Sequence, residues 1–258
     1  RHLDMVRSIA MLTDKPLGGG AVSVDAAEDA LAMARIIFGD RMDREVCVYT
    51  NINVNSPLVY DSRMLDALMI YARVGQPVLI VPFLLMGAMA PASTISALAQ
   101  QFAEALTGIA LMQAINPGCP AVLGSFLSTP DMKNGSPSFG GPESHFGLLV
   151  SGQLARRYNL PWRAGGGSLT TSPVPDAQAA FEGMNTMQAA FLAGANIVMH
   201  TGGWLEGGLV ASFEKLIVDL DIVRTLRAEF TQLDINDDAL AFRAHDEVRH
   251  GGHFLGAE

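Results

Sequence analysis

The chain alternates short apolar segments with longer helical patterns, and it does so six times. Successive apolar segments begin about 30 to 45 residues apart, which is the period of a strand and helix unit. They are apolar throughout rather than alternating with polar residues, as is typical of parallel strands covered on both faces. The predicted strands are 15–21, 45–54, 77–85, 120–128, 160–166 and 195–203.

Apolar residues spaced three and four apart predict helices between these strands. Together with the strands they form a repeated strand and helix order, which predicts an α/β fold. The predicted helices are 24–38, 60–74, 92–115, 142–158, 176–193 and 208–230, with a last one near 236–248.

Two architectures fit this order, a doubly wound sheet and a TIM (β/α)8 barrel. No predicted strand leads directly into a G-x-G-x-x-G turn, and the glycines at 165–167 run on into SLTTSPVP before a helix can begin. Most predicted strands end in small or polar residues, where a barrel places its site. We therefore expect a single barrel domain over 1–258 with about six strand and helix units, truncated at the N-terminus and at the C-terminus.

Composition limits which classes of partner and which cellular compartment suit this chain. A net charge of −9 with three lysines argues against a nucleic-acid surface, and no run of about 18 apolar residues suggests a membrane span. Cys47 and Cys119 lie in apolar runs, which predicts buried thiols in a reducing compartment, the cytoplasm. Apolar helix faces such as 92–115 suit either the core or a subunit contact, so a homo-oligomer stays open.

Four candidate features each have two interpretations. The glycines at 165–167 either permit tight packing or let a flat cofactor or partner approach. Asp176 either caps a helix or faces a pocket, and Glu143 either interacts with a helix dipole or lies at the barrel mouth. His200 ends an apolar strand, so it is either a core histidine or part of the mouth.

The sequence gives little support to metal or covalent catalysis. Its histidines are scattered apart from His245, His250 and His253, and we assign no metal site. Lys15 and Lys133 are the lysines placed for a Schiff base. An alternative function is therefore a barrel lyase or aldolase that uses Lys133 or a bound metal.

Four segments of the chain occur together in this order: GPES (141–144), LARRYNLPWRAGGGSLTTSPVPDAQAAFEGM (154–184), AFLAGANIVMHTGGWLEGGLVASFEKLIVDLDIV (190–223) and GGHFL (251–255). Through them the chain, from about residue 45 onward, resembles the trimethylamine methyltransferase family, which includes glycine betaine:corrinoid methyltransferases. The resemblance implies a TIM barrel that passes a methyl group from a methylated amine to the Co(I) corrinoid of a separate partner protein, with no cofactor held permanently.

The resemblance also implies a substrate class. Trimethylamine enzymes of the family carry pyrrolysine, whereas this chain contains only the twenty common residues. A quaternary ammonium such as glycine betaine expels a neutral amine when Co(I) attacks, so direct displacement needs no general acid. We therefore expect a quaternary amine donor and assign no catalytic acid or base. A second alternative function is a barrel that binds a quaternary amine without turnover.

Two sets of site residues complete the prediction. The substrate is expected to contact polar groups and aromatic faces that suit a cation, and the corrinoid is expected to lie where small residues let the reacting groups approach. The substrate set is Tyr49, Asn51, Asn53, Phe126, Phe139, Glu143, Thr171, Asp176, Gln178, His200 and Trp204. The set facing the corrinoid is Gly165, Gly166, Gly167, Ser168 and Thr170.

Overall fold

The computed structural model describes residues 2–257, and a six-stranded parallel sheet forms its centre. Each strand pairs with the next one along the chain, so the sheet order follows the sequence order. This confirms the predicted α/β fold with six strand and helix units. The strands are β1 (Leu17–Gly18), β2 (Val48–Val54), β3 (Val78–Pro82), β4 (Ala121–Ser125), β5 (Trp162–Ala164) and β6 (Ile197–Val198).

A helix follows each of the six strands, and another precedes the first strand. Short 3-10 turns at Gly39–Asp43 and Glu206–Gly208 add to them. The helices are α1 (His2–Leu12), α2 (Val24–Phe38), α3 (Ser62–Arg73), α4 (Thr94–Ile115), α5 (Pro142–Arg157), α6 (Ala177–Leu192), α7 (Phe213–Glu229), α8 (Asp237–Leu240) and α9 (Phe242–Val248).

Helix α2 shows how the local sequence sets these helices. The Ser23 hydroxyl accepts a hydrogen bond from the Ala26 N–H at 3.1 Å, which caps the first turn. Ala26, Ala30 and Ala34 recur every four residues and are all buried. Because these side chains are small, the helix packs closely on its neighbours.

The two faces of the sheet bury different residues. Val48 and Ile52 of β2 belong to the large core formed with the helices. On the other face, Leu79, Val81 and Val122 form a separate cluster, against which aromatic and aliphatic side chains from other strands pack. Residues from the later part of β2 and residues that follow β6 line one cavity. This inner face is therefore concave, as in a barrel.

Two predicted strands each contain two observed ones. The first part of 77–85 and of 120–128 joins the six-stranded sheet. Their later parts, Leu84–Leu85 and Leu127–Pro130, pair with each other in a second small sheet, and Pro137–Ser138 pairs antiparallel with the latter strand. The chain therefore leaves the central sheet at these points and builds part of the wall beyond it.

Two predicted helices were wrong in their bounds. The helix predicted from 208 begins at Phe213, because Gly208 has a φ of +89° and Val210–Ala211 pairs with Trp204–Leu205 instead. The helix predicted near 236–248 is divided in two at Ala241, whose φ of +48° interrupts the helical path. The outer predicted strands were also too long, since 15–21 and 195–203 each contribute two residues to the central sheet.

The chain divides into two compact units. The first extends to Val223 and contains all six strands of the central sheet, and the second begins at Arg224 and contains α8 and α9. The single domain over 1–258 stays a prediction.

Among residues 2–257, one helix, α4, is long and apolar enough to cross a membrane, judged by length and composition alone. Half of its apolar window is buried inside the protein. Phe102, Ala105 and Ile109 belong to the large core, so α4 packs as a core helix.

A buried ion pair fixes α7 beneath the end of β5. Lys215 and Asp219 lie one helical turn apart with their side chains fully buried, and they form a salt bridge. The Lys215 ammonium also donates to the Ser168 carbonyl at 3.0 Å, and the Asp219 carboxylate accepts from the Gly203 N–H at 2.8 Å. The pair thus ties α7 to the loops that follow β5 and β6.

We expect Lys215→Met to lower the free energy of unfolding by about 3–5 kcal/mol, because it leaves the Asp219 carboxylate buried without its partner. Denaturant unfolding of the full-length protein measures this. The double variant Lys215→Met/Asp219→Leu is expected to recover part of the loss, since it removes both charges. A single variant that is at least as stable as the double variant would contradict this account.

Candidate active site

A cavity of about 840 Å³ opens at the carboxyl ends of the strands. Five of the six strands or the loops that follow them contribute to its lining, as expected for a barrel site. Six of the residues predicted to bind the substrate line it: Asn51, Asn53, Phe126, Phe139, His200 and Trp204.

Aromatic rings form a continuous wall of this cavity. The Phe126 ring lies 4.8 Å from that of Phe83 and 5.4 Å from that of Phe139, centroid to centroid. On its other side it lies 5.7 Å from the His200 ring, which in turn lies 6.5 Å from Trp204. Such ring faces carry negative electrostatic potential, so the wall suits an organic cation.

His200 occupies a strained position in this wall. Its φ of +63° is unusual for a residue other than glycine. Burial, reinforced by the charge of Arg163, lowers its pKa from the usual 6.5 to about 4. The imidazole is therefore neutral at neutral pH, and its Nδ1 lies 3.5 Å from the Gly166 N–H.

Arg163 is a site residue that the sequence patterns did not single out. It lies in β5, is 3% exposed and lines the cavity, where its Nε and Nη1 atoms have no hydrogen-bond partner among residues 2–257. Burial lowers its pKa to about 10, which leaves the guanidinium charged at neutral pH. A signal was available, since a charged residue interrupts the apolar predicted strand 160–166.

A second buried charge shapes the rim. Glu104 of α4 is 2% exposed, and its carboxylate accepts from the Ser56 hydroxyl at 2.6 Å and from the Leu58 N–H at 2.8 Å. Ser56 and its neighbour Asn55 line the cavity. Glu104 therefore holds the loop after β2 in place at the cavity edge.

The glycines after β5 pack against the chain's own backbone. A Cβ at Gly165 would lie 2.7 Å from the Ser125 carbonyl oxygen, and one at Gly167 would lie 2.4 Å from the Met199 carbonyl oxygen. Gly166 has a φ of +87°. Their lack of side chains is thus explained by contact with the ends of β4 and β6, the tight-packing interpretation. That this run also faces a corrinoid stays a prediction.

Thr170, Thr171 and Gln178 hold a carboxylate rather than lining the cavity. Both threonine hydroxyls donate to Glu182 of α6, at 2.6 Å from Thr170 and 3.0 Å from Thr171, and the Gln178 amide donates to it at 2.8 Å. Ser168 is also fully buried. These residues fasten the loop after β5 to α6, and Glu182 was missed because it lies in a plain helical pattern.

Asp176 and Glu143 lie at helix starts and are not among the residues that line the cavity. The Asp176 carboxylate accepts from the Ala179 N–H at 2.9 Å and caps α6, and this backbone hydrogen bond lowers its pKa. Glu143 lies in the first turn of α5. The helix-start interpretation left open for each is therefore the one that their positions favour.

Tyr49 lies in a different place from the one expected. It lines a second, largely apolar cavity of about 710 Å³. Pro16, Pro77 and Pro120, each of which directly precedes a strand, line the same cavity. Those residues mark the amino ends of the strands, opposite the candidate site. The physical reason is its early position in β2, two residues before Asn51.

Among residues 2–257, no group of three or more histidine, cysteine or acidic side chains could hold a metal ion. Cys47 and Cys119 are free and buried, and burial raises the pKa of both thiols. The chemistry of the cavity thus depends on its aromatic rings, its asparagines and Arg163.

Sequence comparison assigns the family. The family model described as trimethylamine methyltransferase (MTTB) matches residues 1–258. The chain belongs to this family. The resemblance seen in the four sequence segments is thereby confirmed for the whole chain.

The relatives that the chain matches are named for several methylated amines. The chain is 42% identical over 257 residues to a glycine betaine methyltransferase of Desulfitobacterium hafniense, covering 99% of this chain and 53% of that protein. It is 34% identical over 215 residues to a proline betaine:corrinoid methyltransferase of Eubacterium limosum, covering 83% and 44%. A trimethylamine methyltransferase of Methanosarcina mazei is 32% identical, covering 78% and 40%. The chain thus spans about half the length of these relatives.

A solved structure supports the barrel fold. The structure of Yersinia pestis DHPS with a pterine-sulfa conjugate matches with a TM-score of 0.51 at 15% identity, covering 88% of this chain and 75% of that one. At this identity the match concerns the fold alone.

We expect the free energy of unfolding to fall as the pH drops from 6.5 to 4. The reason is that His200 becomes protonated near pH 6.5 in the unfolded chain but only near pH 4 in the folded protein, so protonation in this range favours unfolding. His200→Asn should remove this part, since asparagine tolerates a positive φ and does not titrate. The free energy of unfolding of this variant should then depend less steeply on pH than that of the natural protein, by up to about 1.4 kcal/mol per pH unit. Denaturant unfolding across this range measures the difference, and parallel curves would show that His200 titrates normally.

Proposed function

We propose that this chain forms part of a methyltransferase that moves a methyl group from a quaternary amine, glycine betaine or a similar betaine, to the Co(I) corrinoid of a partner protein. The observation that carries the proposal is the aromatic wall around Phe126 at the carboxyl ends of the strands. The named activities of the two betaine relatives support the same donor class.

The transfer proposed here is a direct displacement. The electron pair of Co(I) forms the new bond to the methyl carbon, and the electrons of the broken carbon–nitrogen bond leave with the nitrogen. The leaving group is a neutral tertiary amine, so the step needs no proton. This agrees with a cavity whose imidazole, His200, is neutral at neutral pH and is not required as an acid.

The residues of this chain act by binding and orientation. The rings of Phe126, Phe139 and Trp204 supply faces for the methylated nitrogen, and the side chains of Asn51 and Asn53 supply polar contacts. Holding the donor in one orientation lowers the barrier to displacement, because the reacting atoms no longer lose rotational freedom at that step.

The corrinoid enters this proposal as a second substrate carried by a separate protein. The printed name of the Eubacterium limosum relative includes a corrinoid. We place the reaction in the cytoplasm, since a Co(I) corrinoid requires reducing conditions, with which the two free cysteines agree.

The structure gives no support to a Schiff-base lyase or aldolase. Lys133 is exposed in the loop after β4 and is absent from the residues lining the cavity, and Lys215 is held by Asp219. A barrel that binds a quaternary amine without turnover stays an alternative that the assay below separates.

The test mixes the full-length protein with reduced Co(I) cobalamin or its corrinoid protein and a panel of betaines and methylamines. We expect the visible spectrum of methylcobalamin with glycine betaine or a related betaine and not with trimethylamine. Donor binding without any methylcobalamin would favour the binding-only alternative, and neither binding nor turnover would overturn the proposal.

Phe126→Leu tests the aromatic wall in the same assay. Loss of one ring face should raise the Michaelis constant for the donor about 3- to 30-fold, the range of a cation–π contact. Phe181→Leu is the matched control, because Phe181 is 69% exposed on α6, outside the cavity. Equal effects of the two variants would remove the ring wall from substrate binding.

A further inference from the structure

The guanidinium of Arg163 is a buried charge in need of a partner. Its residue is 3% exposed, and two of its three nitrogen atoms, Nε and Nη1, have no hydrogen-bond partner among residues 2–257. Leaving such donors unpaired away from water costs free energy, so buried charges are nearly always paired. Its position in β5 faces the cavity.

The cavity lining itself does not neutralise this charge. Among residues 2–257, no aspartate or glutamate lines the cavity, and Arg163 is the charged side chain in its wall. Of the carboxylates outside the lining, Glu182 is bound by the threonines after β5, Asp219 is bound by Lys215, and Glu206 is exposed. A ligand with an anionic group would supply what the protein omits.

The backbone keeps the guanidinium at the aromatic wall. A Cβ at Gly165 would lie 2.6 Å from Arg163 Nη1 and 2.8 Å from Phe126 Cβ, so this glycine leaves room for the two side chains on either side of it. The charge of Arg163 is close enough to His200 to contribute to lowering its pKa. Anion-binding and cation-binding groups therefore share one end of the cavity.

We propose that Arg163 binds the carboxylate of a zwitterionic methyl donor while the ring of Phe126 and its neighbours contact the quaternary ammonium. The inference rests on the proposed function, to which it adds a specificity-determining residue. It assigns the donor to amino-acid betaines, in which one or a few carbon atoms separate the two charges. A donor without a carboxylate would leave the guanidinium unpaired.

Arginine suits this role better than lysine. Its planar fork presents two parallel N–H groups to a carboxylate, which fixes the orientation of the ligand as well as its charge. With the carboxylate fixed, the ammonium is held against the rings in one arrangement. The pairing would thus select the donor and direct its methyl groups.

Calorimetric titration of the full-length protein tests the inference without its corrinoid partner. The probes are glycine betaine, choline and tetramethylammonium, which share a quaternary ammonium but of which only glycine betaine has a carboxylate. We expect glycine betaine to bind about tenfold or more tightly than choline, as a charge-assisted pair with arginine provides.

Variants at position 163 assign this preference to the guanidinium. Arg163→Met should weaken glycine betaine about tenfold or more, because the carboxylate loses its charged partner. The same variant should change the dissociation constant of tetramethylammonium by less than about twofold. Arg163→Lys keeps the positive charge but lacks the planar fork, so its affinity for glycine betaine should lie between those of the natural protein and Arg163→Met. This variant replaces Arg163→Met in the test if the methionine variant does not fold. Arg73→Met is the matched control, since Arg73 is exposed on α3.

Three results would overturn the inference: no preference for glycine betaine over choline, equal weakening of all three probes by both Arg163 variants, or an effect of Arg163 that is seen only when the corrinoid protein is added. The last result would assign Arg163 to an anion on that partner. Carboxylate preference that depends on Arg163, without methyl transfer in the separate spectroscopic assay, would instead refute the proposed function alone.

Discussion

The close backbone packing at the end of β5 is the constraint on which the candidate site depends. The Gly165 N–H donates to the Ser125 carbonyl at 2.9 Å, and the Ser168 N–H donates to the His200 carbonyl at 2.8 Å. Side chains in this run would collide with the neighbouring strand ends. Because the run is held on both sides, the guanidinium of Arg163 and the ring of His200 are both fixed at the cavity.

Carboxylates outside the cavity hold the surrounding loops, and no aspartate or glutamate is among the described residues that line the cavity. Glu104 binds the loop after β2, Glu182 binds the loop after β5, and Asp219, which is paired with Lys215, binds the loop after β6. Each acid accepts backbone N–H groups that would otherwise lack partners. The chain thus separates its structural anions from the wall of aromatic rings and its one cationic side chain, Arg163, among the described lining residues.

The sequence predicted the fold better than the site. Apolar runs such as Val78–Pro82 are long enough to reveal the strands, and Phe126 and Trp204, predicted as aromatic faces for a cation, do line the cavity. Asp176, Thr171 and Gln178 were expected at the mouth because polar loop residues often bind ligands, yet they serve α6 and its anchor. Whether a polar residue contacts a ligand or a helix end depends on long-range packing, which local patterns do not contain.

The central claim is that one end of this cavity binds both charges of a betaine. A crystal structure of the full-length protein with glycine betaine tests it most directly. The account predicts the quaternary ammonium against the Phe126 ring and the carboxylate within hydrogen-bond distance, about 2.7–2.9 Å, of the Arg163 guanidinium. Glycine betaine bound elsewhere, or bound here with its carboxylate turned away from Arg163, would contradict it.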